Sequence, residues 1–164
     1  MTRLTIPTDV AWQEALAIYA LPEVADHLIG LQDHYGCNVN LLLLSIVLGN
    51  RQIELQQDQV SQLVDSITQS ERQLAMHREL RRAAKQGPAS PYEQLKQREL
   101  QLEQQQHRHL LTTLNQLEIC QVNTDVETAL VLVLRYYAVS QSDIDTTLRL
   151  LVSAVHQDNG SSER

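Results

Sequence analysis

Apolar residues recur at helical spacing along most of the chain. Trp12, Ala15, Leu16 and Tyr19 fall at i, i+3, i+4 and i+7, one face of a short first helix. Pro7 precedes it, and Thr8 or Asp9 is its expected N-cap. Pro22 ends that helix and suits the first turn of a second, lined by Val24, Leu28, Leu31 and Tyr35. Gly36 stands where a C-terminal cap needs positive φ, and Asn38 is placed to cap a third helix. Leu41 to Leu48 is apolar nearly all round, which marks a helix enclosed by its neighbours. Gly49-Asn50 is its expected stop.

The spacing resumes with Val60, Leu63, Val64 and Ile67 and continues through Leu74, Leu80 and Ala84. Residues 58–85 read as one long helix, or as two with a bend near Thr68 to Glu71, where the apolar stripe lapses. Gly87-Pro88-Ala89-Ser90-Pro91 is the clearest break. A helix is expected from Tyr92 to about Ile119, with Leu110, Leu111, Leu114 and Leu117 facing the core. Its middle, Glu103 to His109, is polar all round and is expected to project into solvent. Asn123-Thr124-Asp125 forms a turn and cap before a central helix carrying Val126, Ala129, Leu130, Val133 and Tyr137. Ser142 or Asp143 caps the last helix, and the polar residues from Asp158 read as a disordered tail. The pattern predicts an all-α fold, a single compact bundle of about seven or eight helices, orthogonal rather than coiled-coil because heptads are not sustained. It occupies residues 1–157, with an internal break at 87–91 and a tail at 158–164.

Composition sharpens this picture. There is no Phe and one Trp, so the core is built from Leu, Ile, Val and Ala. The formal net charge is −7, unevenly spread. Arg72 to Arg108 holds eight of the thirteen basic residues and four of the twenty acidic ones, so it is locally positive in an acidic chain. That balance argues against general nucleic-acid binding and leaves room for a local anionic partner. Two cysteines are too few for a disulfide framework, and a reducing cytoplasm fits them best. No export signal is read at the N-terminus. The longest apolar run falls far short of the ~20 residues of a membrane span.

The first third resembles a bacterial family. Trp12, then Ala17-x-Tyr19-x-x-Pro22-x-Val24, then Leu31-Gln32-Asp33-x-x-Gly36-x-x-Val39-Asn40-Leu41-Leu42-Leu43, is similar to the signature of conserved hypothetical proteins found mainly in gammaproteobacteria, which contain a domain of unknown function. Leu80-Arg81-Arg82-x-x-Lys85 resembles the second, weaker motif of that family. The chain departs from the pattern at Cys37 and Asn38, one of which is usually Asp. It also lacks the Trp and Pro that usually precede the basic motif. The resemblance implies a compact, cytoplasmic, helical protein and supplies no activity.

Two clusters carry candidate chemistry. Gln32, Asp33, Asn38 and Asn40 flank one tight turn. They read either as a small polar pocket with Asp33 as acid, base or ligand, or as a structural corner in which Asp33 accepts from the start of the third helix and Asn40 bridges loops. Arg78, Arg81, Arg82 and Lys85 form a basic helix end, either a docking surface for an anionic group or a solvated face favoured by the helix dipole. His27 and His34 share a face, yet nothing in the spacing supplies a third metal ligand. No phosphate loop, nucleophile elbow or cofactor motif occurs, so no catalytic residue, metal or cofactor is assigned. The leading function is a non-catalytic cytoplasmic protein acting through an unidentified protein partner. The second is a small-ligand or enzymatic site at the Gln32–Asn40 corner. The third is a ribosome- or nucleic-acid-associated factor using Arg78–Lys85.

Overall fold

The computed structural model describes residues 4–85 and 89–161, with side chains for all of these except 89, 90 and 158–161. Eight helices occupy the described residues: α1 (Thr8–Tyr19), α2 (Val24–Tyr35), α3 (Val39–Asn50), α4 (Gln57–Ser66), α5 (Thr68–Ala84), α6 (Ala89–Leu114), α7 (Val126–Tyr136) and α8 (Gln141–Ser161). The fold is an all-α bundle, and none of the described helices is long and apolar enough to cross a membrane.

α3 is the hub. Every residue from Asn40 to Gly49 is buried, and α1, α2, α6 and α7 all pack around it. Its most extensive partner is α7, made possible by Gly49. A Cβ at that position would stand 2.5 Å from the Cα of Val126, so Gly49 is also a point of backbone approach in the last turn of a helix that ends, as expected, at Asn50. Gly36 ends α2 in the left-handed region, φ +73°, where a side chain is disfavoured. Asn38 caps α3 by accepting from Leu41 N at 2.8 Å, and Asp125 caps α7 by accepting from Thr128 N at 2.8 Å.

Several boundaries differ from the sequence reading. Residues 58–85 form two helices, the second of the two expected arrangements, but the break falls at Ile67 rather than within Thr68 to Glu71; Ile67 is buried and turns the chain. No side chain caps α1; Pro7 stands at that position. Ser140, not Ser142 or Asp143, holds the start of α8, its Oγ accepting from Asp143 N at 3.2 Å. α6 ends at Leu114, not near Ile119, where the next turn closes back on Leu111 and Leu114. Asn115 follows directly and clamps Ile6, accepting from its N–H and donating to its carbonyl, both at 3.0 Å. α8 runs to Ser161, past the start of the expected tail; residues 162–164 lie outside the described residues, as do Gly87 and Pro88 of the expected break.

The largest correction concerns Glu103 to His109. Gln106 and His107 are fully buried, and Glu103 is half-buried. Stepping back from Leu114 and Leu110 at helical intervals reaches His107, Gln106, Glu103 and Glu99. The inward stripe continues there in polar residues.

Candidate functional site

The apolar stripe of α1 does not all enter the core. Ala11, Ala15 and Ile18 are buried, while Trp12, Leu16 and Tyr19 line a cavity of about 290 Å³ with Ala15. α2 adds Ile29 and Gln32, and α3 adds Val39, Asn40 and Leu43. The opposite wall is polar. α5 contributes Arg78, Arg81 and Arg82, one helical face by their i, i+3, i+4 spacing. α6 contributes Lys96, Glu99, Glu103 and Gln106, with Leu100 between them. The volume is close to the lower end of small-molecule sites, about 300 Å³.

The floor is a hydrogen-bonded amide network. Asn38 Nδ2 donates to Gln106 Oε1 at 2.9 Å and to Glu71. Asn40 Nδ2 donates to the same Gln106 oxygen at 3.0 Å and to the Glu103 carbonyl at 3.1 Å. Gln106 in turn donates to Ser70 Oγ at 3.1 Å and Glu71 Oε2 at 3.0 Å. Asn40 therefore ties α3 to α6 and bridges no loop. These bonds satisfy polar groups that burial would otherwise penalise.

An ionic layer lies beside it. Arg78 is only 11% exposed and faces three carboxylates: Glu71 at 3.2 Å, Glu99 at 3.8 Å and Glu103 at 3.8 Å. Arg81 pairs with Glu99. Burial lowers the Arg81 pKa, but the hydrogen bond and charge of Glu99 outweigh it and the net shift is upward. Burial raises the Glu103 pKa, and Arg78 opposes the shift. Tyr19 is likewise raised, first by burial and then by the Glu103 charge.

Residues 10–110 match the family model described as Protein of unknown function (DUF2390). The chain belongs to this family. No curated protein and no solved structure matches the chain. Every residue lining the cavity, from Trp12 to Gln106, falls within the span that matches DUF2390.

The cavity brings together the two clusters that the sequence presents separately. Gln32 and Asn40 of the polar corner line it, as do Arg78, Arg81 and Arg82 of the basic helix end. Asn38 lies buried in the network with Gln106. Asp33 does not cap α3, since Asn38 fills that role. It lies exposed beside Arg82, with Oδ1 and Nη2 3.8 Å apart. Lys85 is exposed and is not among the lining residues. Arg78 and Arg81 are not the freely accessible surface the sequence suggests, because carboxylates of α5 and α6 engage them.

The sequence reading missed Lys96, Glu99, Glu103 and Gln106. The available signal was the helical stripe running back from Leu110. Among the described residues no group of three or more His, Cys, Asp or Glu is arranged to hold a metal ion. His27 Nε2 instead hydrogen-bonds Thr147 Oγ1 at 2.7 Å, and His34 packs edge-on against Tyr35.

Proposed function

We propose that this member of DUF2390 is a small-ligand-binding protein whose site is the cavity between α1, α2, α3, α5 and α6. The carrying observation is the cavity itself: an apolar wall containing the chain's one Trp faces a wall of fixed charges. Ligand sites combine largely apolar linings with a few placed polar groups in this way. The basic helix end supports this reading better than a free docking surface, because Arg78 and Arg81 are held at the cavity by Glu99. The same engagement weakens the nucleic-acid reading. We place the protein in the bacterial cytoplasm, where the free thiols of Cys37 and Cys120 would persist.

Denaturing extraction of the purified protein, followed by mass spectrometry, tests this. Wild type is expected to release a small molecule that Ala15→Phe, which fills the cavity, does not carry. Protein that purifies empty, and whose Trp12 emission stays unchanged across a metabolite library, overturns the proposal.

A protein partner is the second reading. Met76 and Leu80 on α5 are 69% and 58% exposed and do not line the cavity, which favours an apolar contact outside it. Loss of a co-purifying protein in Met76→Glu/Leu80→Glu, with ligand content unchanged, would support it.

A further inference from the structure

We propose that the cavity takes an amphipathic monocarboxylate, with its alkyl chain on the apolar wall and its head at Arg82 and Lys96. This assignment rests on the small-ligand reading of the same site.

The four lining cations are not equivalent. Arg78 is enclosed by Glu71, Glu99 and Glu103, and Arg81 is bound to Glu99. Their charge is matched inside the protein. Arg82 is 58% exposed, and its contact to Asp33, at 3.8 Å, is longer than a hydrogen bond. Lys96 lies over the Tyr92 ring, 5.5 Å from its centroid, a weak interaction at an exposed site. Arg82 on α5 and Lys96 on α6 therefore present cations with loose partners to whatever enters.

The remaining lining sets the rest of the ligand. Trp12, Leu16, Ile29, Leu43 and Leu100 offer an apolar surface whose one polar group is the Trp12 indole N–H. The floor amides of Asn38, Asn40 and Gln106 donate their N–H groups to one another, Ser70, Glu71 and the Glu103 carbonyl, so a ligand body rich in acceptors finds few open donors there. Glu99 and Glu103 repel a second anionic group placed deeper in the cavity. One charge at the mouth and a hydrocarbon body inside satisfy all three walls. An arginine also binds a planar carboxylate through two parallel hydrogen bonds.

Trp12 is the chain's single tryptophan and lines the cavity, so its fluorescence reports occupancy directly. Delipidated full-length protein is titrated with octanoate, octanol and octylammonium. Octanoate is expected to change Trp12 emission saturably, with octanol and octylammonium binding at least about tenfold more weakly. Arg82→Glu/Lys96→Glu is expected to lose at least about tenfold in octanoate affinity while keeping wild-type helicity, since both side chains are exposed. Equal or tighter binding of octylammonium or octanol overturns the carboxylate assignment and leaves the small-ligand reading standing. So does extraction of a bound molecule from another chemical class. An unchanged octanoate affinity in the double variant overturns the placement of the head group. If no probe binds and the purified protein is empty, both readings fall.

Discussion

Arg82 of α5 and Asp33 of α2 join two clusters that lie about fifty residues apart in sequence, Nη2 standing 3.8 Å from Oδ1. Both side chains are more than half exposed. Exposed ion pairs contribute about 0–1 kcal/mol. Asp33→Ala is therefore expected to change the unfolding free energy by less than about 1 kcal/mol, measured by urea denaturation. A larger loss would mean that Asp33 serves α3 after all. If the head-group site is correct, the same variant should bind octanoate more tightly, because Arg82 loses a competing anion.

Arg78 makes the opposite prediction, although it lies on the same helix face. It is surrounded by Glu71, Glu99 and Glu103. Removing it leaves three carboxylates facing one another in a half-buried layer. Arg78→Met, which keeps the aliphatic stem, is expected to cost on the order of 3 kcal/mol at neutral pH. Part of that loss should return as pH falls, because protonating Glu103 relieves the repulsion. A loss that does not depend on pH would assign the cost to packing.

Asn38 has two separable roles. Its oxygen caps α3, and its amide nitrogen feeds Gln106 and Glu71. Asn38→Ala removes the cap, worth about 0.5–2 kcal/mol, and strands buried acceptors at about 1–3 kcal/mol. Asn38→Asp keeps the acceptor but places a carboxylate against Glu71 and the Gln106 oxygen. It is expected to be destabilising by about 2 kcal/mol as well. Wild-type melting of Asn38→Asp would show that the cap alone matters.

How far the sequence carries the fold follows from these residues. Local devices were legible because they are local. Gly36 and Asn38 announce a helix end and a helix start by residue type and position, and the structure has both. The enclosure of α3 was legible because its apolar run leaves no solvent face. Asp33 and Asn38 are both good caps by type, and only the path of the turn decides between them. Gln106 was misread because residue polarity reports the average cost of burial, and its partners Asn38, Asn40, Ser70 and Glu71 offset that cost. His107 is instead buried with its ring against Trp12. The cavity was not legible at all. Trp12, Leu16 and Tyr19 have the spacing of a core stripe, and only the placement of α5 and α6 leaves that stripe lining open space.

Two glycines test different constraints. At Gly36 a Cβ would meet no atom within 4 Å, but φ is +73°. Gly36→Ala should therefore cost about 1–2 kcal/mol through the backbone alone. At Gly49 the conformation is ordinary helix, and the obstacle is the Val126 backbone at 2.5 Å. Backbone cannot rotate away as a flexible side chain can. Gly49→Ala must separate α3 from α7 and is expected to cost more than Gly36→Ala, at least about 3 kcal/mol. Paired thermal denaturation curves check the order. The reverse ranking would place the tight contact elsewhere.

His107 should make stability depend on pH. It is fully buried, its ring centroid is 5.1 Å from that of Trp12, and no hydrogen bond of ordinary geometry reaches either ring nitrogen. Burial lowers its pKa below the ordinary 6.5, and the Thr8 backbone opposes the shift only in part. The unfolded chain therefore takes up a proton near pH 6.5 that the folded chain still refuses. Stability is unaffected well above that pH and falls as pH drops below it. His27, lowered by burial against the opposing charge of Asp143, acts in the same direction. Glu103 acts in the other, because a raised carboxyl pKa lets the folded state take its proton first as pH falls toward 4.5. His107→Phe keeps a flat ring beside Trp12 and removes two unpaired polar atoms. It is expected to raise stability at pH 7 by about 1–3 kcal/mol and to flatten the decline between about pH 7 and pH 5. Urea denaturation at stepped pH measures both effects. If the decline is unchanged in His107→Phe and disappears in His27→Gln, the titrating group is His27.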